Sequence, residues 1–405
     1  MNNVVIATNL ATATTAFSFK GDNITATVNT GIFLVGYGNS RGVSGDHDGD
    51  ILVNQGDIIG VGVASVAGVD FAGDYDVLSN RWSGSVNGTV DGVLLRGNGS
   101  TVNNDGHISG GQSGVEIEGD HDTVNNFASI DGQINGVELG NGSNHAELIN
   151  HGSINGKVFG VLEISQDEGG TILNAGVITS AEIGLLVWTK HGDTTFITNE
   201  AKGIISGPGD AIRSLSAISL DNHGVIDGDI DCTASDASNV IINHGKIHGR
   251  VELSAGTDVF NGKGGTAGNI FAGAGNDRII AGDGAVAIHV GDGNNTLTSG
   301  PGVDKFVFDG GIGGHVDKIT NFHPGLDKIV LSEAEFTGLG PHGTLHAAHF
   351  HLNVDGPSPA PEIVYVRSDG FLYYDANGHL PGDMVHFATL GSHPELHNTD
   401  FLVTA

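Results

Sequence analysis

The chain has 405 residues, with 47 Asp plus Glu against 16 Lys plus Arg, a formal net charge of −31 and one cysteine, Cys232. So negative a chain repels nucleic acid and anionic membrane surfaces, which excludes both as partners, and a single cysteine excludes an internal disulfide. No stretch approaches the roughly 18 apolar residues of a membrane-spanning helix, and the first residues, "MNNVVIATNLATATTAFSFKGD", lack the basic region and apolar core of a secretory signal peptide.

Residues 1–50 hold two apolar runs, "ITATV" and "GIFLVG", which suggest an N-terminal cap or a first coil. From residue 51 a repeat takes over. Asn54, Asn80, Asn104, Asn126, Asn150, Asn174, Asn199, Asn222, Asn243 and Asn261 recur at steps of 26, 24, 22, 24, 24, 25, 23, 21 and 18 residues. Two residues before each stands an apolar side chain, from Leu52 and Leu78 to Ile241 and Val259, and four residues after most of them stands Ile. Offsets of two place side chains on one face of a strand. A second apolar stretch follows in most coils, such as "GVEIE" or "GVELG".

Coils of this length with two or three short strands predict a parallel β-helix over 51–262. No coil can bury its apolar face alone, so stacking makes the core. Asparagines stacked at a shared turn are expected to bond amide to amide along the axis. A hairpin-built sandwich or propeller also uses Asn-Gly turns, but it predicts no fixed asparagine phase.

Within this region the search for chemistry is thin. The basic residues Arg41, Arg81, Arg96, Lys157, Lys190, Lys202, Arg213, Lys246 and Arg250 are scattered. Asp227, Asp229 and Asp231 in "IDGDID" are the best carboxylate candidates for a hydrolase, though alternation reads them as one solvated acidic face. The string "GDHD" occurs at 45–48 and 119–122, and each copy offers a cation acidic oxygens and an imidazole.

From Gly273 the chain reads "GAGNDRIIA GDGAVAIHV GDGNNTLTS GPGVDKFVF", four nonapeptides in strict register. Glycines let backbone carbonyls turn toward an ion, and the acids supply hard oxygen suited to Ca²⁺. The large apolar residues Ile279, Ile288, Leu297 and Phe306 complete each repeat with a core side chain. The stretch resembles the RTX (haemolysin-type) calcium-binding repeat, GGxGxDxUx. That resemblance implies a parallel β-roll over 263–308 with two nonapeptides per turn. It also implies Ca²⁺ ligands at Gly273, Gly275, Asp277, Gly282, Asp283, Gly284, Gly291, Asp292, Gly293, Asn295, Gly300, Gly302 and Asp304. At the acidic position of successive repeats stand Asp277, Val286, Asn295 and Asp304, so about one to three ions are expected instead of a fully loaded roll.

Residues 309–405 carry "HVDKITNFHPGLDKIVLS", "IVYVRSDGFLYYDANG" and "VHFATLGSHPELHNTDFLV". They resemble the domain that follows RTX repeats in serralysin-type proteases and other type I secreted proteins. This implies a small antiparallel cap, a further ligand at Asp317, and an uncleaved export signal at Asp400–Val403. Where that family has Asp-Phe, this chain has Asn321-Phe322. No HExxH motif is present: "HPELH" at 393–397 misplaces the Glu, and His346, His349 and His351 have no evident fourth ligand.

The expectation is therefore an all-β chain, a right-handed parallel β-helix with an Asn ladder that continues into an RTX-type β-roll and a small antiparallel cap. Its expected function is that of a secreted, calcium-binding structural or adhesive protein. Its expected partners are Ca²⁺, the type I secretion machinery, and an extracellular polysaccharide or cell surface. The alternative is a secreted polysaccharide-active enzyme with a groove on the β-helix.

Overall fold

A computed structural model describes residues 2–62, 66–140, 142–165, 169–190, 192–353, 360–378 and 384–405. The chain forms two compact units, Met1–Ile230 and Asp231–Ala405.

The first unit is a parallel β-solenoid whose coils each give three short strands to three parallel ladders. The first ladder runs from Asn2–Ile6 and Ile24–Val28 through Ile51–Asn54 to Ile218–Asn222, and it aligns Leu52, Leu78, Val102, Val124, Leu148, Ile172, Ile197 and Leu220. The second aligns Leu34, Ile58, Val86, Ile108, Ile130, Ile154, Ile178 and Ile205. The third aligns Val43, Val69, Val93, Val115, Val137, Val161, Leu185 and Ile212. All these side chains are buried, and each contributes about 1.5–3 kcal/mol of apolar burial. Residues 2–50 are the first coils of this same stack.

The asparagine ladder forms as expected. The Asn54 side chain closes a strand, turns inward and donates from Nδ2 to Asn80 Oδ1 at 2.9 Å. The same bond, at 2.8 Å, links Asn80, Asn104, Asn126, Asn150, Asn174, Asn199 and Asn222 in succession. From Asn54 to Asn199 each Nδ2 also donates to a backbone carbonyl of the next coil, as Asn104 does to Ser129 at 3.0 Å.

Asn261 does not belong to the ladder. Ile241 pairs with Phe260 and Ile242 with Asn261, so this strand is displaced by one residue from the asparagine phase. A one-residue slip exchanges the two faces of a strand. Phe260 therefore fills the core, while Val259 and Asn261 turn outward.

The second unit winds with two parallel ladders instead of three. One holds Val240–Asn243, Val259–Asn261, Arg278–Ile280, Thr296–Thr298 and Asp317–Thr320. The other holds Val251–Glu252, Ile270–Phe271, Ala287–His289, Lys305–Phe308, Lys328–Ser332 and Phe401–Thr404. Ile279 stacks on Leu297 and Ile288 on Phe306, which gives the expected two nonapeptides per turn. Two-ladder winding starts before residue 263, because the strands at 240–243 and 259–261 already belong to it. Glu362–Val366, Phe371–Asp375 and Met384–Leu390 form the antiparallel cap. Phe387 of the cap packs edge to face on Phe308 and Phe336, and all three rings are buried.

Candidate cation-binding loops

The loops between roll strands are glycine-rich because consecutive turns touch backbone to backbone. A Cβ on Gly291 would stand 2.0 Å from the Gly273 carbonyl oxygen, and one on Gly293 would stand 1.6 Å from that of Gly275. Gly300 and Gly302 meet Gly282 and Gly284 in the same way. On one edge of the roll Gly273, Gly275, Gly291 and Gly293 also take left-handed backbone angles, which only glycine adopts without cost.

The acids of these loops divide into two kinds. Asp277, Asp304 and Asp317 are buried and act first as backbone acceptors. Asp277 Oδ1 accepts the Asp258 N–H at 2.8 Å, Asn295 Oδ1 accepts that of Asp277 at 2.8 Å, and Asp317 Oδ1 accepts that of Asn295 at 2.9 Å. Asp304 is used on both oxygens. Oδ1 takes the Val286 N–H, and Oδ2 takes the Gly300 N–H and the Ser299 hydroxyl. Asp277 keeps a buried Oδ2 with no hydrogen-bond partner. Burial drives the Asp277 and Asp317 carboxyls up to about 7, helped for Asp277 by the neighbouring Asp258 charge. Asp283 and Asp292 are exposed. Asn321 is a donor here, its Nδ2 bonding the Ser299 carbonyl at 3.1 Å.

No protein-family model, curated protein or solved structure matches this chain.

In the first unit the corner between the third ladder and the next coil carries two polar columns. In the inner one, Asp50 accepts the Ile24 N–H, Asp76 that of Asp50, Ser100 that of Asp76, and Asp122 that of Ser100. The outer column runs the other way: Asp48 accepts from Asp74, Asp74 from Asn98, and Asn98 from Asp120. Burial raises Asp76 and Asp122 to about 7. Between the columns Gly49, Tyr75, Gly99, His121 and His145 are all left-handed. The two "GDHD" strings are thus out of phase, since Asp120 and Asp122 correspond to Asp48 and Asp50.

His121 and His145 stack with ring centroids 4.4 Å apart. With Asp120 they form the one group of three His, Cys, Asp or Glu among the described residues whose ligand atoms lie within 4.8 Å of one another. His145 comes from the following turn, which a linear motif does not reveal. The histidines at 346–351 are engaged separately: His346 caps Ala348, His349 meets the Pro361 carbonyl, and His351 meets Glu362. Asp227 is exposed, with Asp229 and Asp231 half-exposed, in keeping with a solvated acidic face.

The bend between the second and third ladders is re-entrant. A Cβ on Gly88, Gly110, Gly132 or Gly156 would lie 1.6–1.8 Å from the carbonyl oxygen three residues on, so only glycine permits so sharp a turn. Outward side chains beside the bend are shielded. Asp70, between the core residues Val69 and Phe71, is only 1% exposed, and Arg41 and Arg96 both pair with it.

Proposed function

We propose that this chain is a secreted, calcium-binding structural or adhesive protein that leaves the cell by the type I route. In this reading the first unit is the scaffold and the second carries the calcium. The observation that carries the reading is the 18-residue stacking of the nonapeptides, with left-handed glycines at the turns that hold Asp277 and Asn295. This arrangement agrees with the RTX-type resemblance, although Asp304 has both oxygens engaged. Asp277, with its free buried oxygen, and the exposed Asp283 and Asp292 are the side chains best suited to Ca²⁺. A bound ion would supply the positive charge that these loops lack, and the loop carbonyls would complete its oxygen shell.

Scaffolding fits the unbroken three-ladder register, and exposed Trp82, Phe127, Trp188 and Phe196 offer apolar contact points. The export stretch at Asp400–Val403 includes a strand paired to Lys328–Ser332, with Phe401 fully buried. It is therefore legible only before the second unit folds.

Calcium titration by calorimetry, with circular dichroism and thermal melts in calcium and in chelator, tests the proposal. Saturable binding, a gain in β signal and a higher melt are expected, with Asp277→Asn weakening all three. Unchanged spectra and melts across the titration would refute it.

A further inference from the structure

We propose that the polar corner of the first unit binds a transition-metal ion of the zinc type through Asp120, His121 and His145. This site is built from two successive coils and does not depend on calcium binding by the roll.

The winding itself brings the three groups together. The His121 N–H donates to the Asn144 carbonyl at 2.9 Å, the same bond that links Tyr75 to Asn98 and Gly99 to Asp120. It sets His145 one rung along from His121, and both residues take the left-handed turn of this corner, at φ 58° and 56°. Matching backbone angles at equivalent positions send the two side chains the same way. The rings therefore lie nearly parallel, 20° apart in plane and 4.4 Å between centroids. Asp120 is the chain neighbour of His121, and one ligand atom from each of the three residues lies within 4.8 Å of the other two.

Asp120 is the member whose bonding is incomplete. In its column Asp48 Oδ1 accepts the N–H of Asp74, Asp74 Oδ1 that of Asn98, and Asn98 Oδ1 that of Asp120. The next donor in this series is Asn144, but its N–H turns back to the Gly142 carbonyl at 3.0 Å. Asp120 Oδ1 is thus buried with no hydrogen-bond partner, although the three oxygens before it in the column each have one. A carboxylate oxygen withdrawn from water without a donor is costly, and a cation at this corner removes that cost.

The donor set decides the metal. Two imidazole nitrogens and one carboxylate oxygen suit zinc, whereas calcium takes six to eight oxygen ligands. Zinc holds nitrogen at about 2.0–2.1 Å, so its tetrahedral ligands stand roughly 3.4 Å apart. Both rings are exposed and reach that spacing by pivoting about their side-chain bonds. Three protein ligands leave a fourth position for water. His145 also borders a cavity of about 390 Å³ lined by Thr171, Asp193 and Phe196, so the site is open to an arriving ion.

Equilibrium dialysis of the full chain against Zn²⁺, in excess Ca²⁺ to fill oxygen-only sites, tests the proposal. His121→Asn and His145→Asn, chosen because Asn tolerates the left-handed turn, should each bind one zinc ion fewer than the parent protein. The double variant should also lose one ion and not two. His151→Asn, whose ring stacks on Phe127 outside the group, should keep full stoichiometry. Hydrogen exchange on the parent protein should show residues 119–122 and 142–146 protected by Zn²⁺ but not by Ca²⁺, which does not depend on any variant folding. Full stoichiometry in a folded His121→Asn or His145→Asn protein, the same loss in His151→Asn, or no zinc-dependent protection of these segments would overturn the proposal.

Discussion

Removing one interior rung, Asn126→Ala, tests whether the asparagine ladder holds the first unit together. Asn126 is fully buried. Its Nδ2 donates to Asn150 Oδ1 at 2.8 Å and to the Ser153 carbonyl at 3.0 Å, and its Oδ1 accepts from Asn104 Nδ2 at 2.8 Å. Each bond contributes about 1 kcal/mol net, and each stranded buried group costs about 1–3 kcal/mol, so the substitution should cost about 4 kcal/mol. For a unit of this size that lowers the melt by roughly 10 °C. Asn54 has Val28 beneath it instead of another asparagine, so Asn54→Ala should cost about 1 kcal/mol less. Asn261 lies off the ladder and half-exposed, and Asn261→Ala should stay within about 0.5 kcal/mol of the parent. Calorimetric melts of the three variants in one buffer give the ranking, and hydrogen exchange shows whether protection is lost on the coils flanking residue 126. Equal costs for Asn126→Ala and Asn261→Ala would refute the view that the amide column is a structural element.

Three further outcomes are expected. Asp76 and Asp122 hold their protons to about pH 7 when folded, against an ordinary value near 3.8. Their burial is harmless below pH 3.8 and becomes progressively unfavourable up to about 7, so the chelated protein should melt lower at pH 8 than at pH 5. Asp76→Asn/Asp122→Asn should flatten that slope, and an unchanged slope would count against the assignment. Gly132→Ala sets a Cβ 1.6 Å from the Asn135 carbonyl oxygen and should cost about 4 kcal/mol or more, whereas Gly21, with nothing within 4 Å, should tolerate Ala without change in the melt. Cys232 is fully buried, and burial holds its thiol protonated. It should resist a thiol reagent until the second unit unfolds, and rapid labelling of the native protein would show that this unit opens locally.

Periodicity made most of the fold legible. The apolar residue two before each asparagine of the ladder and the isoleucine four after most of them are the core positions of the first two ladders, and the large residues of the nonapeptides are those of the roll. Asn261 misled because spacing alone does not show which face of a strand turns inward: its neighbour Phe260 outcompeted it for the core. Functional groups were harder to see. His145 joins His121, and Asn135 joins Ser113, through stacking of successive coils, so neither pairing leaves a local motif. A periodic search of the position three residues after the bend glycines Gly88, Gly110 and Gly132 would have exposed the column of Asp91, Ser113 and Asn135.

That column has a consequence for how such a chain changes over time. The glycines that open these bends are fixed by steric contact and the core residues by packing, but the side chain three residues on varies from coil to coil. From coil to coil it is Asp91, Ser113, Asn135 and Phe159, spaced about 4.8 Å apart along the stack. Each turn thus offers one slot whose occupant can be exchanged without disturbing the winding. A surface with new chemistry can be written there one coil at a time, while the scaffold stays the same.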